Sequence, residues 1–570
     1  MHLTHRRTGR EGSSPGRGPA GLLAAVATVV TLVGAAPPAA AQVPAATDAE
    51  AVHALSLEEA ILRALERNEA ILIERAAADS AASAVTGAEG AYDPVLGLET
   101  GWRHLTVPLN SAFSGAQEGE LAPTDEVFEA GGSVVQRLPT GGVVALRGTS
   151  GRTETDGAFG LLSPAYDSQL GVELRQPLLR DRGIDSARLG LRVARADRDR
   201  SLSSLRREVV DTVGEVERTY WGLVAARREI GVREDAVGLA REQLEQTGLR
   251  IEGGAAPETE IAQPRSELER RRGDLLEARE RLARAENALK LLILGDSEDD
   301  LWSARLAATD AAAVEPVAVD VRAAMAEALA ARPELASLEA FVTRRRAEAA
   351  FARDRVQPAL DLVVSYDRFG LAGSRNRAAA GIPGLPTGVP GELEGDLGSS
   401  LEQLVDGAFD DARIGLVFEV PIGNRTARAN AEIAENARRR AELELDRARK
   451  EVRAEVLDAA AALDTAAARV EAARAEREAA EVQLAAERDR YAVGLSTNFL
   501  VLTRQNDLAS ARLAEIEAST DYLIARTELA RATGALLAER RIELDETDAP
   551  DAAPATAPRR RPGSMRGDES

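Results

Sequence analysis

The sequence predicts a mostly α protein that carries a transmembrane β-barrel and is built from a duplicated half-repeat. Three observations predict it. The order helix, strand, strand, very long helix, long helix runs from Leu57 to about Leu294 and again from Val321 to about Leu537. Two proline-free stretches of about 70 residues carry a continuous apolar seam at helical spacing. Four short stretches alternate apolar and polar residues with period two.

The duplication holds residue by residue. Pro94 answers Pro358 and Trp102 answers Tyr366 at one common shift. Gly171-Val172-Glu173-Leu174-Arg175-Gln176-Pro177 answers Gly415-Leu416-Val417-Phe418-Glu419-Val420-Pro421. Arg250 and Gly254 answer Arg490 and Gly494. A repeat of about 250 residues is far too long for a solenoid unit and reads as a duplicated half-domain. The expected organisation is a signal peptide over 1–41, a linker over 42–54, a first repeat over 55–294, an acidic linker over 295–320, a second repeat over 321–540 and a disordered tail over 541–570.

The first element is for export. Arg6, Arg7, Arg10 and Arg17 give a basic start, Ala20 to Val33 an apolar run too short to span a bilayer, and Ala39-Ala40-Ala41 the small residues of a cleavage site. Arg6-Arg7 suggests a twin-arginine signal but lacks its hydrophobic context, so ordinary secretion is the reading. The absence of cysteine excludes a disulfide framework and a lipid-anchored cysteine. No mature segment has the roughly 18–20 apolar residues of a membrane helix, so contact with a membrane must come through strands or a surface helix. A net charge of −22 excludes a nucleic-acid partner, which needs a basic face. Aromatic residues at 3% suit long helices packed through small and aliphatic side chains better than an ordinary globular core.

Short amphipathic segments, Leu57 to Arg67 and Val321 to Ala331, open the two halves. The strands follow. In the first, Leu96, Leu98, Thr100 and Trp102 share a face opposite Glu99 and Arg103, and in its repeat Leu360, Leu362, Val364 and Tyr366 oppose Asp361 and Asp367. In the second, Leu170, Val172 and Leu174 oppose Glu173 and Arg175, and in its repeat Ile414, Leu416, Phe418 and Val420 oppose Arg413 and Glu419. Strands of about ten residues cross a bilayer when tilted. An apolar outer face, a charged inner face and a terminal aromatic fit a membrane barrel, with Leu96, Leu98, Trp102, Leu174, Leu362, Tyr366, Leu416 and Phe418 facing lipid. A small soluble sheet capping the helices explains the alternation but not uncovered charged faces. Four strands cannot close a barrel, so several chains must pool them.

The rods come next. Val209, Val213, Val216, Tyr220, Leu223, Ala226, Ile230, Val237, Ala240, Leu244 and Ile251 step by three, four or seven, which makes a rod of roughly 105 Å from Arg182 to Glu252. Arg425 to Val493 matches it in length. Glycine signals end both rods, at Gly253-Gly254 and at Gly494. Helices then return over about Glu258 to Leu294 and Asn498 to Glu539, giving two antiparallel hairpins with their tips far from the strands.

Taken together, Leu57-Glu58-Glu59-Ala60 with Leu65 and Asn68, Gln176-Pro177-Leu178-Leu179, Val420-Pro421-Ile422-Gly423-Asn424 and Tyr491-Ala492-Val493-Gly494-Leu495-Ser496-Thr497 make the chain resemble TolC-type outer-membrane efflux channels over about residues 55 to 540. The resemblance implies a homotrimer in which four strands from each chain close a 12-stranded β-barrel in outer-membrane lipid. A long antiparallel coiled-coil α-barrel would continue it through the periplasm. The partners implied are a periplasmic adaptor and an inner-membrane pump of a tripartite efflux or type I secretion system. The duct itself does no chemistry and carries no cofactor. Gly254, Val493, Gly494, Leu495 and Thr497 are the expected adaptor-docking tips, and Glu258, Glu260 and Tyr491 the expected pore constriction.

The chain departs from that pattern twice. Tyr491 fits the family's tip tyrosine, but Ser496, Leu500 and Thr503 stand where an arginine and two aspartates are expected. Gly131 to Ser150, with Leu138-Pro139-Thr140-Gly141-Gly142, reads as an extra hairpin, either part of a long outer loop or two added strands.

Other chemistries find no support. His53 and His104 are isolated, and without cysteine a structural zinc site is not expected. Gly381 to Gly398 sits among prolines and acids, unlike a phosphate cradle. The carboxylates lie beside arginines on helix faces, and no nucleophile–base pair emerges, so no enzyme is expected. The rival reading is an exported, non-transporting coiled-coil scaffold or spacer of the cell envelope.

Overall fold

The computed structural model describes residues 52–108, 115–116, 120–295, 299–381 and 388–543. The expected signal peptide, most of the 42–54 linker and most of the tail lie outside them.

The first half opens with β1 (Val52–Leu55), α1 (Leu57–Arg67) and α2 (Glu69–Glu89). Four strands follow, β2 (Val95–Thr106), β3 (Thr124–Arg137), β4 (Val143–Thr155) and β5 (Leu162–Pro177), then the hairpin of α3 (Ser186–Glu252) and α4 (Ala262–Ile293). β6 (Arg305–Ala308) leads to the second half: α5 (Val321–Ala331), α6 (Pro333–Asp354), β7 (Ala359–Arg375), α7 (Leu397–Asp406), β8 (Phe409–Glu419), then α8 (Arg425–Ala492), α9 (Asn498–Thr533) and the short α10 (Leu536–Glu539).

Local chemistry sets the boundaries. Ser56 caps α1 by accepting from Glu59 N at 3.2 Å. Asn68 ends α1 and caps α2, its Oδ1 accepting from Ala70 N at 3.0 Å while its Nδ2 donates to Leu292 O at 3.2 Å. One side chain therefore joins two helices and ties them to the end of α4. Asp185 starts α3 by accepting from Arg188 N at 2.7 Å. At 67 and 68 residues, α3 and α8 are each about 100 Å long.

The core sits in the middle of the rods. There Val209, Val213, Val216, Tyr220 and Leu223 of α3 pack with Leu463 and Val470 of α8, Tyr522 and Leu523 of α9, and Ile61 and Ala64 of α1. A collar wraps this level. β1 and β6 pair in parallel beside α3. The fully buried Tyr220 OH donates to Asp310 Oδ2 at 2.5 Å, with Leu55 O at 3.0 Å, and Leu57 N donates to the same carboxylate oxygen at 2.8 Å. Burial first, and the Asp310 hydrogen bond second, push the Tyr220 hydroxyl up to about 12.

Among the described residues six strands, not four, make the main sheet, in the order β2-β3-β4-β5-β7-β8 and antiparallel throughout. This corrects the expectation of four strands per chain. Of the two readings of Gly131 to Ser150, the added strands are the observed one. Glycines masked them, because glycine is depleted in strands. Here it makes room for cross-strand acids. A Cβ on Gly131 would stand 3.1 Å from Glu99 Oε1, and one on Gly151 only 2.6 Å from Asp167 Oδ1.

The β3–β4 turn is fixed at the helical end of the sheet. Gly141 takes φ +87°, and a Cβ there would meet Asp181 O and Arg188 Nη2, both at 2.6 Å. Thr140 Oγ1 donates to Gln176 Oε1 at 2.8 Å. Two further features escaped the sequence reading. α2 and α6 are separate helices before the strands, and α7 lies on the sheet beside β5 and β7.

Candidate channel wall and tip

The sheet has two chemically different faces, fixed by register. Leu96 stands opposite Val134, Val134 opposite Leu146, Leu146 opposite Val172, and Val172 opposite Tyr366. The same register puts Leu98, Trp102, Leu174, Leu362, Leu416 and Phe418 on that face, so all eight residues expected to face lipid share it. Most of its large apolar side chains are exposed, Leu98 by 79% and Ile414 by 80%, while Leu174 and Leu362 are half-buried. The sequence reading missed Phe128, Val134 and Leu146, which extend the face across the added hairpin.

One end of this face is covered. Ser400 of α7 donates through Oγ to Ser168 Oγ at 2.9 Å, both buried, and Arg368 donates through Nη1 to Leu404 O at 3.0 Å. Gly370 allows this contact, since a Cβ there would collide with Ser400 O.

The opposite face is polar. It carries Glu99, Arg103, Glu129, Arg147, Asp167, Glu173, Arg175, Asp361, Asp367, Asp411 and Arg413, with acids in excess. Arg175 Nη2 donates to Asp361 Oδ2 at 2.6 Å, and Gln169 Nε2 to Asp367 Oδ1 at 3.1 Å.

At the far end, the two hairpins close in the same way. Ala255 N donates to Arg250 O at 2.8 Å and Gly254 N to Ile251 O at 3.0 Å. Leu495 N donates to Arg490 O at 2.8 Å and Gly494 N to Tyr491 O at 3.1 Å. Gly254 and Gly494 take φ +72° and +80°, which closes a helix at a left-handed glycine. Among the described residues nothing lies within 4 Å of a Cβ built on either. Val493 and Leu495 are exposed, as is Thr497, whose Oγ1 caps α9 by accepting from Leu500 N at 3.4 Å. Leu249 and Phe499 add exposed apolar surface that the sequence reading missed.

Glu258 and Glu260 occupy a single exposed turn before α4. Tyr491 does not stand alone: the Arg250 guanidinium lies 4.8 Å from its ring centroid. Arg250 thus supplies a cation to Tyr491 from the other hairpin, whereas the sequence reading looked for an arginine only at Ser496. Beside this pair, a groove of about 820 Å³ is lined by Gln243, Gln246, Arg250, Arg488, Tyr491 and Val493. Deeper in, the buried Gln243 Nε2 donates to Asn498 Oδ1 at 2.6 Å, and Arg512 pairs with Asp235 at 3.2 Å.

Arginine–carboxylate pairs line the rods. Burial raises the Glu229 carboxyl, but hydrogen bonds and charge from Arg281 and Arg233 outweigh it and hold the group below its usual range. Glu267 is held down against burial in the same way by Arg270 and Arg271. Glu435 is held at about 2, first by its hydrogen bond from Arg438 and then by Arg353. Among the described residues, no group of three or more histidines or acids is placed to hold a metal, and no helix is long and apolar enough to cross a membrane.

Comparison with known proteins gives the family and the fold. The outer membrane efflux protein family matches residues 138–295 and 324–535. The chain belongs to the outer membrane efflux protein family. Its place is therefore the outer membrane, with extension into the periplasm. The outer membrane efflux protein BepC of Brucella suis biovar 1 (strain 1330) is 24% identical over 411 residues, 70% of this chain and 80% of that protein. The Campylobacter jejuni CmeC outer membrane channel shares the fold at a TM-score of 0.58 and 17% identity, covering 84% of this chain and 86% of that one. The Vibrio cholerae outer membrane protein VceC does so at 0.57 and 14%, covering 84% and 96%. Family members are channels, and the bare apolar face, the acidic face and the long hairpins of this chain are the parts such a channel needs.

Proposed function

We propose that three copies of this chain form the exit duct of a tripartite efflux or type I secretion system. The duct receives cargo from a periplasmic adaptor and an inner-membrane pump and carries it across the outer membrane. It performs no reaction, and the pump supplies the energy.

The observation that carries the reading is that the same strands bear a bare apolar face and root helical hairpins about 100 Å long. The apolar face, with Leu96, Leu98, Trp102, Leu174, Leu362, Tyr366, Leu416 and Phe418, meets lipid. The acidic face lines water, and the hairpins reach across the periplasm. Gly254, Val493, Gly494, Leu495 and Thr497 offer the adaptor a surface of bare backbone and small or apolar side chains. Glu258 and Glu260 from three copies ring the entrance, with Tyr491 nearby.

The test is an export assay in cells making the mature chain with its adaptor and pump. The chain should fractionate with outer membranes, crosslink to the adaptor through its tips and be required for export. A chain that stays in the soluble periplasm and leaves export unchanged would support the spacer reading instead.

A further inference from the structure

We propose that the six-stranded sheet closes with two further copies of this chain into an 18-stranded barrel, β8 of one copy pairing with β2 of the next. The inference rests on the trimeric channel reading and specifies its wall.

Among the described residues of one chain, β2 and β8 each pair on one side only. Both are long, at 12 and 11 residues. Their outer faces carry Leu96, Leu98 and Trp102 on β2 and Ile414, Leu416 and Phe418 on β8, all more than 60% exposed. An open edge in lipid leaves a row of backbone groups without partners and does not persist. Soluble sheets protect such edges with lysine, proline or a bulge. Neither β2 nor β8 contains a lysine or a proline, and neither registers a bulge with its neighbour.

Direction agrees. β2 leads away from the helices after α2, and β8 leads back to α8. Because the sheet has an even number of antiparallel strands, its two edges run in opposite senses. Successive copies can therefore add edge to edge without breaking the antiparallel order.

Size agrees as well. Strands about 4.8 Å apart and tilted by about 40° each take roughly 6 Å of circumference. Eighteen take about 110 Å and twelve about 75 Å by the same spacing. Four rods from each of three chains, at about 8–10 Å between axes, take about 100–120 Å. The β3–β4 hairpin thus brings the barrel to the girth of the helical tube it joins. Its turn is anchored to Gln176 and beside Arg188 at that junction. Barrels of 16–18 strands enclose an open aqueous channel. The exit mouth is then about one and a half times as wide as a 12-stranded one, since diameter grows roughly linearly with strand number. Cargo that clears the helical tip meets no second constriction in the membrane.

The chain has no cysteine, so disulfide pairs can be introduced one at a time. In full-length protein assembled in outer membranes, Leu96→Cys with Val134→Cys and Leu146→Cys with Val172→Cys should each link within one chain. Ile414→Cys combined in turn with Leu96→Cys, Leu98→Cys and Thr100→Cys should give linked dimers and trimers on denaturing gels for at least one pair. Electron cryomicroscopy of the trimer should count 18 strands in cross-section. A trimer that shows twelve strands, or one that links none of the Ile414 pairs, overturns this closure and leaves the channel reading standing. A chain that forms no trimer overturns both.

Discussion

Arg250 of one hairpin stacks over the ring of Tyr491 of the other, its guanidinium carbon 4.8 Å from the ring centroid. The two residues stand at the last turns of α3 and α8, where the rods are farthest from the sheet. The contact therefore ties the tips of a single chain together. Cation–π pairs of this kind contribute about 0.5–1 kcal/mol at exposed sites and more when water is excluded. Three copies around one axis would repeat the tie three times.

Loosening this tie should open the tip. Arg250→Ala and Tyr491→Leu should each raise the resting conductance of single channels. The double variant should add little to either, because both remove one contact. Arg250→Lys should retain part of the closure. Additive effects in the double variant would mean that the two residues act separately.

The tips divide into shape and charge. Gly494→Trp places a bulky side chain at φ +80° in open space, so the trimer should form while adaptor crosslinking and export fall. Gly494→Ala carries the same backbone strain, on the order of 1–2 kcal/mol, with little bulk and should export normally. Glu260→Gln should leave assembly intact and lower cation selectivity. Normal export by Gly494→Trp would remove the docking role, and unchanged selectivity would remove the acidic ring.

Much of this architecture was legible, for identifiable reasons. A three–four spacing of Val209, Val213, Val216, Tyr220 and Leu223 marks a helix, and all five are buried. Beyond Val224 the buried positions are Ala236, Ala240, Gln243 and Thr247, and of these the apolar pattern finds only Ala240, while Ile230, Val237, Leu244 and Ile251 of that pattern are half-buried. Glycine at the tips was readable because both sites need positive φ. The hairpin of β3 and β4 was ambiguous because Gly131, Gly132, Gly148 and Gly151 weaken the alternation, although they serve the packing of neighbouring side chains. The Arg250–Tyr491 contact joins positions from the two halves of the repeat, and no local pattern reports such a pair.

The sheet faces make a sharp contrast between neighbours in sequence. Leu98→Arg or Leu416→Arg should impair membrane insertion, since a cation on the lipid face costs about 2–4 kcal/mol at mid-depth. Glu99→Gln, on the opposite face, should assemble at wild-type level. Heat-resistant trimer on gels measures this, and equal tolerance at Leu98 and Glu99 would mean that the faces are reversed or that no barrel forms.

The rods should weaken in acid. Folding holds the Glu229, Glu267 and Glu435 carboxyls below the ordinary carboxylate range. A carboxyl held down on folding adds stability that is fully present above its unfolded value and is lost as pH falls through the folded one. Limited proteolysis should therefore show protected hairpins at neutral pH and increasing cleavage below about pH 4.5, continuing towards pH 2 as Glu435 protonates. Glu229→Gln should flatten the upper part of that profile. A profile unchanged from pH 7 to pH 3 would remove these pairs as a source of stability.

In the proposed function, copies of this chain build one continuous aqueous duct. Single-channel recording of the purified mature protein in a planar lipid bilayer tests it most directly. Trimers should give discrete conductance steps, selective for cations. A protein that inserts as a monomer, or that forms trimers without any conductance even after Arg250→Ala and Tyr491→Leu are combined, would contradict it.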